Sequence, residues 1–242
     1  MTMTTERKAA ATVGVLFLIA TAAYIAGNAL IVSAAKGPDR LSNLKEAQLV
    51  IGVLLEFVDA AAAVGIGVLL FPILRRHREG MALGYAGTRI VESALVLVSG
   101  LFALLLVPIS QEYLRAGADN AAQLQTLGTL GMEVYRLAFQ LGMIVLGAGS
   151  LLLCDVLYEI RLVPRALAVL GFVGYLALFA SGWLDIAGYG ISSALYVPGA
   201  LFEVVLPLWL IVRGLSEPTA SAGSIKSEGP LEFSTHWSGA TR

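Results

Sequence analysis

Residues 84–97, GYAGTRIVESALVL, are the most informative stretch for the fold, because they place an arginine and a glutamate inside an apolar run. The run extends from about Met81 to about Val107, which is long enough to cross a membrane. Ionisable side chains at that depth are costly, and they usually face the inside of a helix bundle and mark a functional site. The use that the protein makes of Arg89 and Glu92 is therefore the central question.

The composition indicates that lipid surrounds most of the chain. Of its 242 residues, 57% are hydrophobic and 14% are charged, whereas soluble domains are about 45–50% apolar and about 25% charged. The net charge of −1 gives no sign of nucleic-acid binding. The single cysteine, Cys154, allows neither an internal disulfide nor a thiolate metal cage, and both histidines, His77 and His236, fall outside the apolar runs. We therefore expect no metal centre, no cofactor and no nucleic-acid partner.

Six apolar runs each reach the roughly 20 residues that a spanning helix needs. Their apolar residues are continuous rather than alternating, which argues against strands, and a backbone in lipid must pair its polar groups within each segment. The sequence therefore predicts an all-α, polytopic membrane bundle of six transmembrane helices within residues 1–215. The helices are expected at about 9–34, 48–74, 81–108, 130–156, 165–185 and 194–213, with a polar outer loop at 110–129. Within this loop GADNAAQLQTL (117–127) is typical of a short helix that can continue into the fourth span.

The distribution of positive charge predicts the orientation, since cytoplasmic loops carry the excess of lysine and arginine. Ten basic residues fall on the side that holds both termini, and four fall on the other side. The loop RRHRE, residues 75–79, is the strongest of these anchors. Both termini are therefore predicted to be cytoplasmic.

The two ends of the chain leave alternatives open. Arg7 and Lys8, followed by an apolar stretch and VSAAK (32–36), resemble a cleaved signal peptide. We favour a retained helix, because the apolar stretch is well above the roughly 7–15 residues usual in signal peptides. Residues 216–242 are rich in serine, glycine, threonine and proline, so we predict a disordered cytoplasmic tail. The alternative there is a docking peptide at LEFSTHW (231–237).

Ionisable side chains within the predicted spans are the candidate ligand-binding residues. Each costs roughly 2.5–3.5 kcal/mol at the centre of a spanning helix, so we expect them to pair inside the bundle. With a rise of about 1.5 Å per residue, Asp59, Glu92 and Glu203 fall near the membrane midplane. The full set of candidates is Glu56, Asp59, Arg89, Glu92, Arg136 and Glu203.

Helical spacing predicts which of these side chains meet. Glu56 lies three positions before Asp59, so both share one helix face. Arg89 and Glu92 have the same spacing on the next span. We expect the charged faces to turn inward around one polar centre. The pairs expected there are Glu56–Arg136 and Asp59–Arg89.

The balance of these charges favours a ligand. Four acids face two arginines, so two carboxylates remain without a cation. An uncompensated carboxylate in a low dielectric takes up a proton or finds a cation. The alternative is that the charges only clamp the helices together, which suits the arginines and two of the acids. A purely structural bundle could, however, use neutral polar groups.

Two further residues are predicted to support the site. Tyr85 lies one turn before Arg89 on the same face. Pro207 follows Glu203 by four residues and has no N–H, so the Glu203 carbonyl loses its helical partner and the helix should kink there. A free carbonyl beside a carboxylate is suited to a proton, Na⁺ or an ammonium group. The alternative is an ordinary kink that a neighbouring helix satisfies.

Three segments allow a comparison with a known family. They are RIVES (89–93), EFVDAAAAVGIGVLLFPILRR (56–76) and FEVVLPLWLIVRG (202–214). They resemble the Arg-x-x-Glu motif, the preceding acid-bearing span and the Glu- and Trp-containing last span of small bacterial membrane proteins known as domain of unknown function 4386. The resemblance covers roughly residues 8–215, and it implies a six-helix bundle of the bacterial inner membrane with no established activity. Asp155 departs from the family pattern, so no role is transferred to it.

The sequence supports three interpretations of function. The first is an integral membrane protein that binds a proton, a small cation or a cationic ligand at the carboxylate and arginine cluster, for transport or for sensing. The second is a scaffold or accessory subunit whose buried charges only fix helix packing. The third, a membrane-embedded enzyme, is disfavoured because no serine has a histidine at membrane depth and no phosphate-binding glycine loop occurs.

The expected partners are the lipid bilayer and a small cation or small molecule. A second copy of the chain is a further candidate, because small residues spaced by three allow helices to approach closely. Such spacings occur at Gly84 and Gly87 and at Gly171 and Gly174, which suit contact between subunits or within one chain.

Overall fold

All secondary structure in the described part of the chain is helical. The computed structural model describes residues 3–37, 39–115, 118–189 and 193–215. The all-α class predicted from the sequence is therefore confirmed for these residues. The helices are α1 Met3–Ala34, α2 Glu46–Leu74, α3 Glu79–Leu104, α4 Leu106–Arg115, α5 Ala118–Glu159, α6 Arg165–Ile186 and α7 Val197–Val212, with a short 3-10 helix at Ser193–Tyr196. The tail predicted at 216–242 lies outside the described residues.

Length and composition qualify most of these helices to cross a membrane. Among the described residues, five helical segments are long and apolar enough, with α3 and α4 counted together. The last predicted span, 194–213, corresponds to the 3-10 helix Ser193–Tyr196 continued directly by the α-helical part, α7, which has 16 residues. At about 1.5 Å per residue α7 extends about 24 Å, which falls short of a hydrocarbon core of about 30 Å.

The short helix predicted at 117–127 within the polar outer loop is confirmed from Ala118 onward, where it forms the start of α5, whereas residues 110–115, predicted as loop, belong to α4. Helix α4 continues to Arg115 and α5 begins at Ala118. The break between α3 and α4 has a local cause, since Pro108 cannot donate a hydrogen bond to the carbonyl of Leu104. Helix α4 packs on α5, and the hydroxyl of Ser110 donates a hydrogen bond to the carbonyl of Leu41 at 2.6 Å.

The helices form a closed ring in chain order. Helix α1 packs on α2, α2 on α3, α3 on α5, α5 on α6 and α6 on α7, and α7 returns to pack on α1. Many large apolar side chains remain exposed, among them Ile51, Leu101 and Val173. Such a surface suits a lipid environment. The ring also leaves a space at its centre.

Small residues bring the ring helices close together. A β-carbon at Gly27 of α1 would lie 2.8 Å from the carbonyl oxygen of Gly52 on α2. A β-carbon at Gly174 of α6 would lie 2.6 Å from the backbone nitrogen of Gly199 on α7. Only glycine permits these backbone approaches, as is common where membrane helices pack.

The glycine motifs proposed for a second copy lie mostly against helices of the same chain. A β-carbon at Gly84 would lie 2.9 Å from Leu152, and one at Gly171 would lie 2.5 Å from the ring of Phe202. A β-carbon at Gly87 would meet nothing within 4 Å. A homo-oligomer stays a prediction, and Gly87 is the member of the two motifs with open space before it.

Candidate cation site in the helix ring

A cavity of about 180 Å³ occupies the centre of the ring. Since a single water needs only roughly 10–15 Å³, there is room for several waters or for one small organic molecule. All six ring helices contribute to the wall. The lining residues are Phe17, Ala20, Thr21, Tyr24, Asp59, Arg89, Glu92, Met143, Leu146, Tyr175, Leu178, Tyr196, Gly199, Ala200 and Glu203.

Four of the six candidate residues from the sequence line this one cavity. They come from three helices: Asp59 from α2, Arg89 and Glu92 from α3, and Glu203 from α7. The expectation of a shared polar centre therefore describes these four residues. Glu56 and Arg136 lie elsewhere, as shown below.

Arg89 and Glu92 form a buried ion pair within α3. The Arg89 Nη1 atom lies 2.8 Å from Glu92 Oε2, and the two side chains are 6% and 5% exposed. The expected pair Asp59–Arg89 is wrong, because a partner three residues along the same helix is reached without crossing to α2. The guanidinium of Arg89, which is the positive group in the cavity lining, is thus paired with Glu92.

The face of α2 opposite Arg89 consists of small residues, and this lets α3 approach. A β-carbon at Gly67 would lie 3.2 Å from the Arg89 Cβ atom. At this short separation Arg89 Nε donates to the carbonyl of Ala63 at 3.4 Å. The hydroxyl of Ser93 reaches the carbonyl of Ala60 at 3.0 Å. These bonds fix the position of the guanidinium and of α3.

Glu203 is held by neutral hydrogen-bond donors. The hydroxyl of Tyr175 donates to Glu203 Oε1 at 3.1 Å, and the Thr21 side chain is also hydrogen-bonded to this carboxyl group. Pro207 lies inside α7, where it is buried against α1: a β-carbon at Gly14 would lie 2.7 Å from its carbonyl oxygen. The carbonyl of Glu203 has no N–H partner at position 207, as the sequence predicts.

Asp59 has no hydrogen bond or ion pair within the described part of the chain. Its side chain is only partly buried, and it borders the cavity near the middle of α2. A carboxylate in this position keeps its acceptor sites for water or for a guest in the cavity.

Four polar lining residues were not identified as site residues from the sequence: Thr21, Tyr24, Tyr175 and Tyr196. Tyr24 and Thr21 lie on one face of α1, at helical spacing from Phe17. Tyr175 lies in the middle of α6, a span without other charged or strongly polar groups nearby. The available signal was the hydroxyl itself, because a buried tyrosine usually finds a hydrogen-bond partner.

Glu56 forms a separate buried group beside the cavity. It is 0% exposed, and the hydroxyl of Tyr135 donates to its Oε1 atom at 2.8 Å. Asn28 Nδ2 donates in turn to the Tyr135 oxygen at 3.2 Å. The other oxygen, Oε2, has no partner among the described residues. The expected pair Glu56–Arg136 is therefore wrong, since tyrosine takes the place of arginine.

Arg136 lies at the rim of the ring rather than inside it. Its side chain is 47% exposed, and its Nη1 atom lies 2.9 Å from Asp185 Oδ2. Its Nε atom lies 3.2 Å from Glu133 Oε2. Because Asp185 stands one residue before the end of α6, this cluster ties α5 to α6 near a helix end. Tyr85 does not line the cavity, and its side chain belongs to the apolar core.

The cavity carries more negative than positive groups. Three carboxylates share it with one guanidinium, so two carboxylates exceed the arginine charge, as the sequence predicts, although Glu56 and Arg136 are both absent from the cavity. Carboxylates that are removed from water need a proton or a cation. In the described residues, no group of three or more His, Cys, Asp or Glu side chains has the arrangement of a metal site.

The lining of the cavity extends to the N-terminal end of α7. Tyr196, which is 37% exposed, borders the cavity just before this helix begins. Glu203 follows seven residues later, which is about 10 Å along a helix. The cavity thus reaches from the middle of the ring toward a partly exposed aromatic side chain.

Comparison with known proteins identifies a family for this chain. The profile of a protein family described as "Domain of unknown function (DUF4386)" matches residues 12–214. No curated protein and no solved structure matches the chain.

Proposed function

We propose a function from the site itself, since the chain belongs to the family described as Domain of unknown function (DUF4386) and that description names no activity. The protein is a multi-pass protein of the bacterial inner membrane with both termini in the cytoplasm. Its central cavity binds a proton, a small cation or a cationic ligand, for transport or for sensing. Labelling a cysteine introduced at His77, in the loop after α2, from either side of the membrane tests the orientation.

The charge imbalance of the cavity carries this proposal. Arg89 forms its ion pair with Glu92 at 2.8 Å and acts on Asp59 and Glu203 only at longer range, so one positive charge faces three carboxylates. Leaving charged carboxylates in a region of low dielectric is costly. A positively charged guest lowers that cost, and the cavity has the space to admit one.

The ring arrangement supports transport or sensing. The acids lie near the middle of their helices, and binding sites of membrane transporters are commonly found at that depth. Because all six ring helices contribute to the wall, a guest that fills the cavity contacts each of them. A change in occupancy can therefore alter how the helices pack.

A scaffold role has one observation in its favour. Arg89 bonds to α2 through Ala63, and Ser93 does so through Ala60, which is the pattern of a helix clamp. This role accounts for Arg89 and Glu92. It gives no use to Asp59, which has no such bond in the described part of the chain.

Thermal unfolding of the purified protein in detergent tests the proposal. We expect a saturable stabilisation by at least one cation in a series of lithium, sodium, potassium and ammonium salts, measured at several pH values. A ligand at a hundred-fold excess over its Kd adds about 2.7 kcal/mol to the free energy of unfolding. Reconstituted vesicles and flux of the same ion then separate transport from sensing.

Matched variants make the test specific. Asp59→Asn and Glu203→Gln remove cavity charges and should abolish the stabilisation. Asp185→Asn removes a carboxylate at the rim, and it should leave the stabilisation unchanged. Equal responses of the cavity and rim variants, or no saturable response to any cation or to pH, would contradict the proposal.

A further inference from the structure

The geometry points to a specific class of ligand: we infer that the cavity binds a small alkylammonium ion that carries at least one N–H. This inference rests on the proposed function and names its substrate class. The ammonium group is held by Asp59 and Glu203, and the alkyl part lies against the apolar wall.

The apolar wall is the first observation. Met143 and Leu146 of α5 face the cavity together with Leu178 of α6, and each is less than a tenth exposed. A small hydrated inorganic ion gains nothing from such side chains. Sites for organic ligands, in contrast, are mostly apolar with a few polar groups that fix orientation.

Asp59 supplies the second observation. Its carboxylate borders the cavity and has no hydrogen bond within the described residues. A carboxylate accepts hydrogen bonds, and a charged N–H donor makes the strong form of that bond. A quaternary ammonium ion has no N–H to offer, so the free acceptor favours a primary, secondary or tertiary ammonium ion.

The tyrosines of the wall supply the third observation. Tyr24, Tyr175 and Tyr196 all border the cavity. Aromatic rings attract organic cations through their quadrupole, and the hydroxyl of Tyr175 holds Glu203 in place at 3.1 Å. Acid, aromatic and aliphatic surfaces therefore meet in one space of about 180 Å³, which limits the guest to a short alkyl chain.

A homologous series of amines tests the inference by isothermal titration calorimetry on the full-length protein. The probes are ammonium, methylammonium, ethylammonium and propylammonium chloride, with tetramethylammonium as the ion without N–H and propanol as the uncharged control. We expect Kd to fall by roughly four-fold for each added methylene that enters the apolar wall. Propanol should not bind, and tetramethylammonium should bind more weakly than propylammonium.

Two leucines of α5 form a matched pair of variants. Leu146 lines the cavity, whereas Leu153, seven residues later on α5, is buried in the apolar core and does not line the cavity. Leu146→Ala should weaken binding of propylammonium but not of ammonium. Leu153→Ala should leave the dependence on chain length unchanged, so loss of folding stability is separated from loss of contact with the ligand.

The possible results distinguish the inference from the proposed function. If affinity is flat or falls along the series while ammonium, sodium or potassium still binds in the wild type and not in Asp59→Asn, the alkylammonium assignment is wrong and cation binding stands. If none of the cations binds, both are wrong. A rising affinity that is lost in Asp59→Asn supports both.

Discussion

Two clusters in this molecule combine an arginine with acids at a spacing of three residues, and they differ mainly in their surroundings. In the cavity, Arg89 lies 2.8 Å from Glu92, and both side chains are about 95% buried. At the rim, Arg136 lies 2.9 Å from Asp185 and 3.2 Å from Glu133, and it is 47% exposed. Nearly equal distances thus occur in two different dielectric environments.

The comparison shows that burial, rather than the spacing of the charges, determines how strongly an ion pair and its excess charge act. At about 4 Å, two unit charges interact by about 1 kcal/mol in water and by about 4 kcal/mol at an effective dielectric constant near 20. Excess negative charge at the rim is screened by water and headgroups. Excess negative charge in the cavity has no such screening, so we expect it to recruit a cation.

Removing each arginine gives the largest expected contrast. Arg89→Leu leaves three carboxylates in the cavity without a cation, and we expect the free energy of unfolding to fall by roughly 3–5 kcal/mol. Arg136→Leu, at an exposed pair, should cost only about 0–1 kcal/mol. Chemical or thermal unfolding in detergent measures both, and equal losses would break the comparison.

Replacing both members of the buried pair sharpens the same test. The double variant Arg89→Leu, Glu92→Leu removes the charge along with its partner. We expect it to be more stable than Arg89→Leu alone, because replacing a whole buried pair is often neutral. A double variant as unstable as the single one would show that Arg89 acts through packing and not through its charge.

The close contact between α6 and α7, which positions Tyr175 and Glu203, should be the next most sensitive point. Gly174→Ala places a methyl group 2.6 Å from a backbone nitrogen, and we expect a loss of about 1–3 kcal/mol. Gly87→Ala is the control, because nothing lies within 4 Å of its β-carbon. If both variants unfold alike, the described approach of the two helices is incorrect.

Glu56 provides an intermediate case, buried but without a cation. Tyr135→Phe removes the hydroxyl that donates to it at 2.8 Å. We expect a loss of about 0.6–1.7 kcal/mol, the range measured for hydrogen bonds between membrane helices. Tyr113→Phe, which loses an exposed bond with Gln125, should have less effect, and the reverse order in unfolding experiments would overturn this ranking.

The rim should show the smallest effect and the clearest dependence on salt. Glu133→Gln removes one exposed partner of Arg136, and we expect a change of at most about 1 kcal/mol that disappears as salt screens the pair. Unfolding measured at low and high ionic strength checks this. A large effect that is independent of salt would contradict the exposed position of the rim cluster.

Much of the fold was predictable, because continuous apolar runs dictate helices in lipid. The predicted span at 48–74 and the helix observed at Glu46–Leu74 differ by two residues at one end. The helix predicted at 117–127 does run into the fourth span, since α5 begins at Ala118, whereas residues 110–115 are helical although their polarity predicts a loop. Polar residues form helix equally well where a helix already continues beyond the apolar part.

The site was predictable in four of its members, Asp59, Arg89, Glu92 and Glu203, and not in its bonds. Helical spacing placed Arg89 and Glu92 on one face, and the cost of buried charge indicated that they point inward. Spacing along one helix cannot give the rotation of the neighbouring helices about their axes, so the predicted partner of Arg136 was wrong. The tyrosine that satisfies Glu56 was also missed, because an apolar ring with one hydroxyl leaves little mark on a hydrophobic pattern.

A crystal structure with an anomalously scattering cation tests most directly the claim that the central cavity binds a cation. Crystals of the protein would be grown in rubidium chloride or in bromoethylammonium bromide, and the anomalous signal of rubidium or of the covalently bound bromine would locate the cation. The account predicts a peak inside the ring, with the cation within contact distance of Asp59. A cavity that holds only water in both salts, or a peak found solely beside Asp185 at the rim, would contradict it.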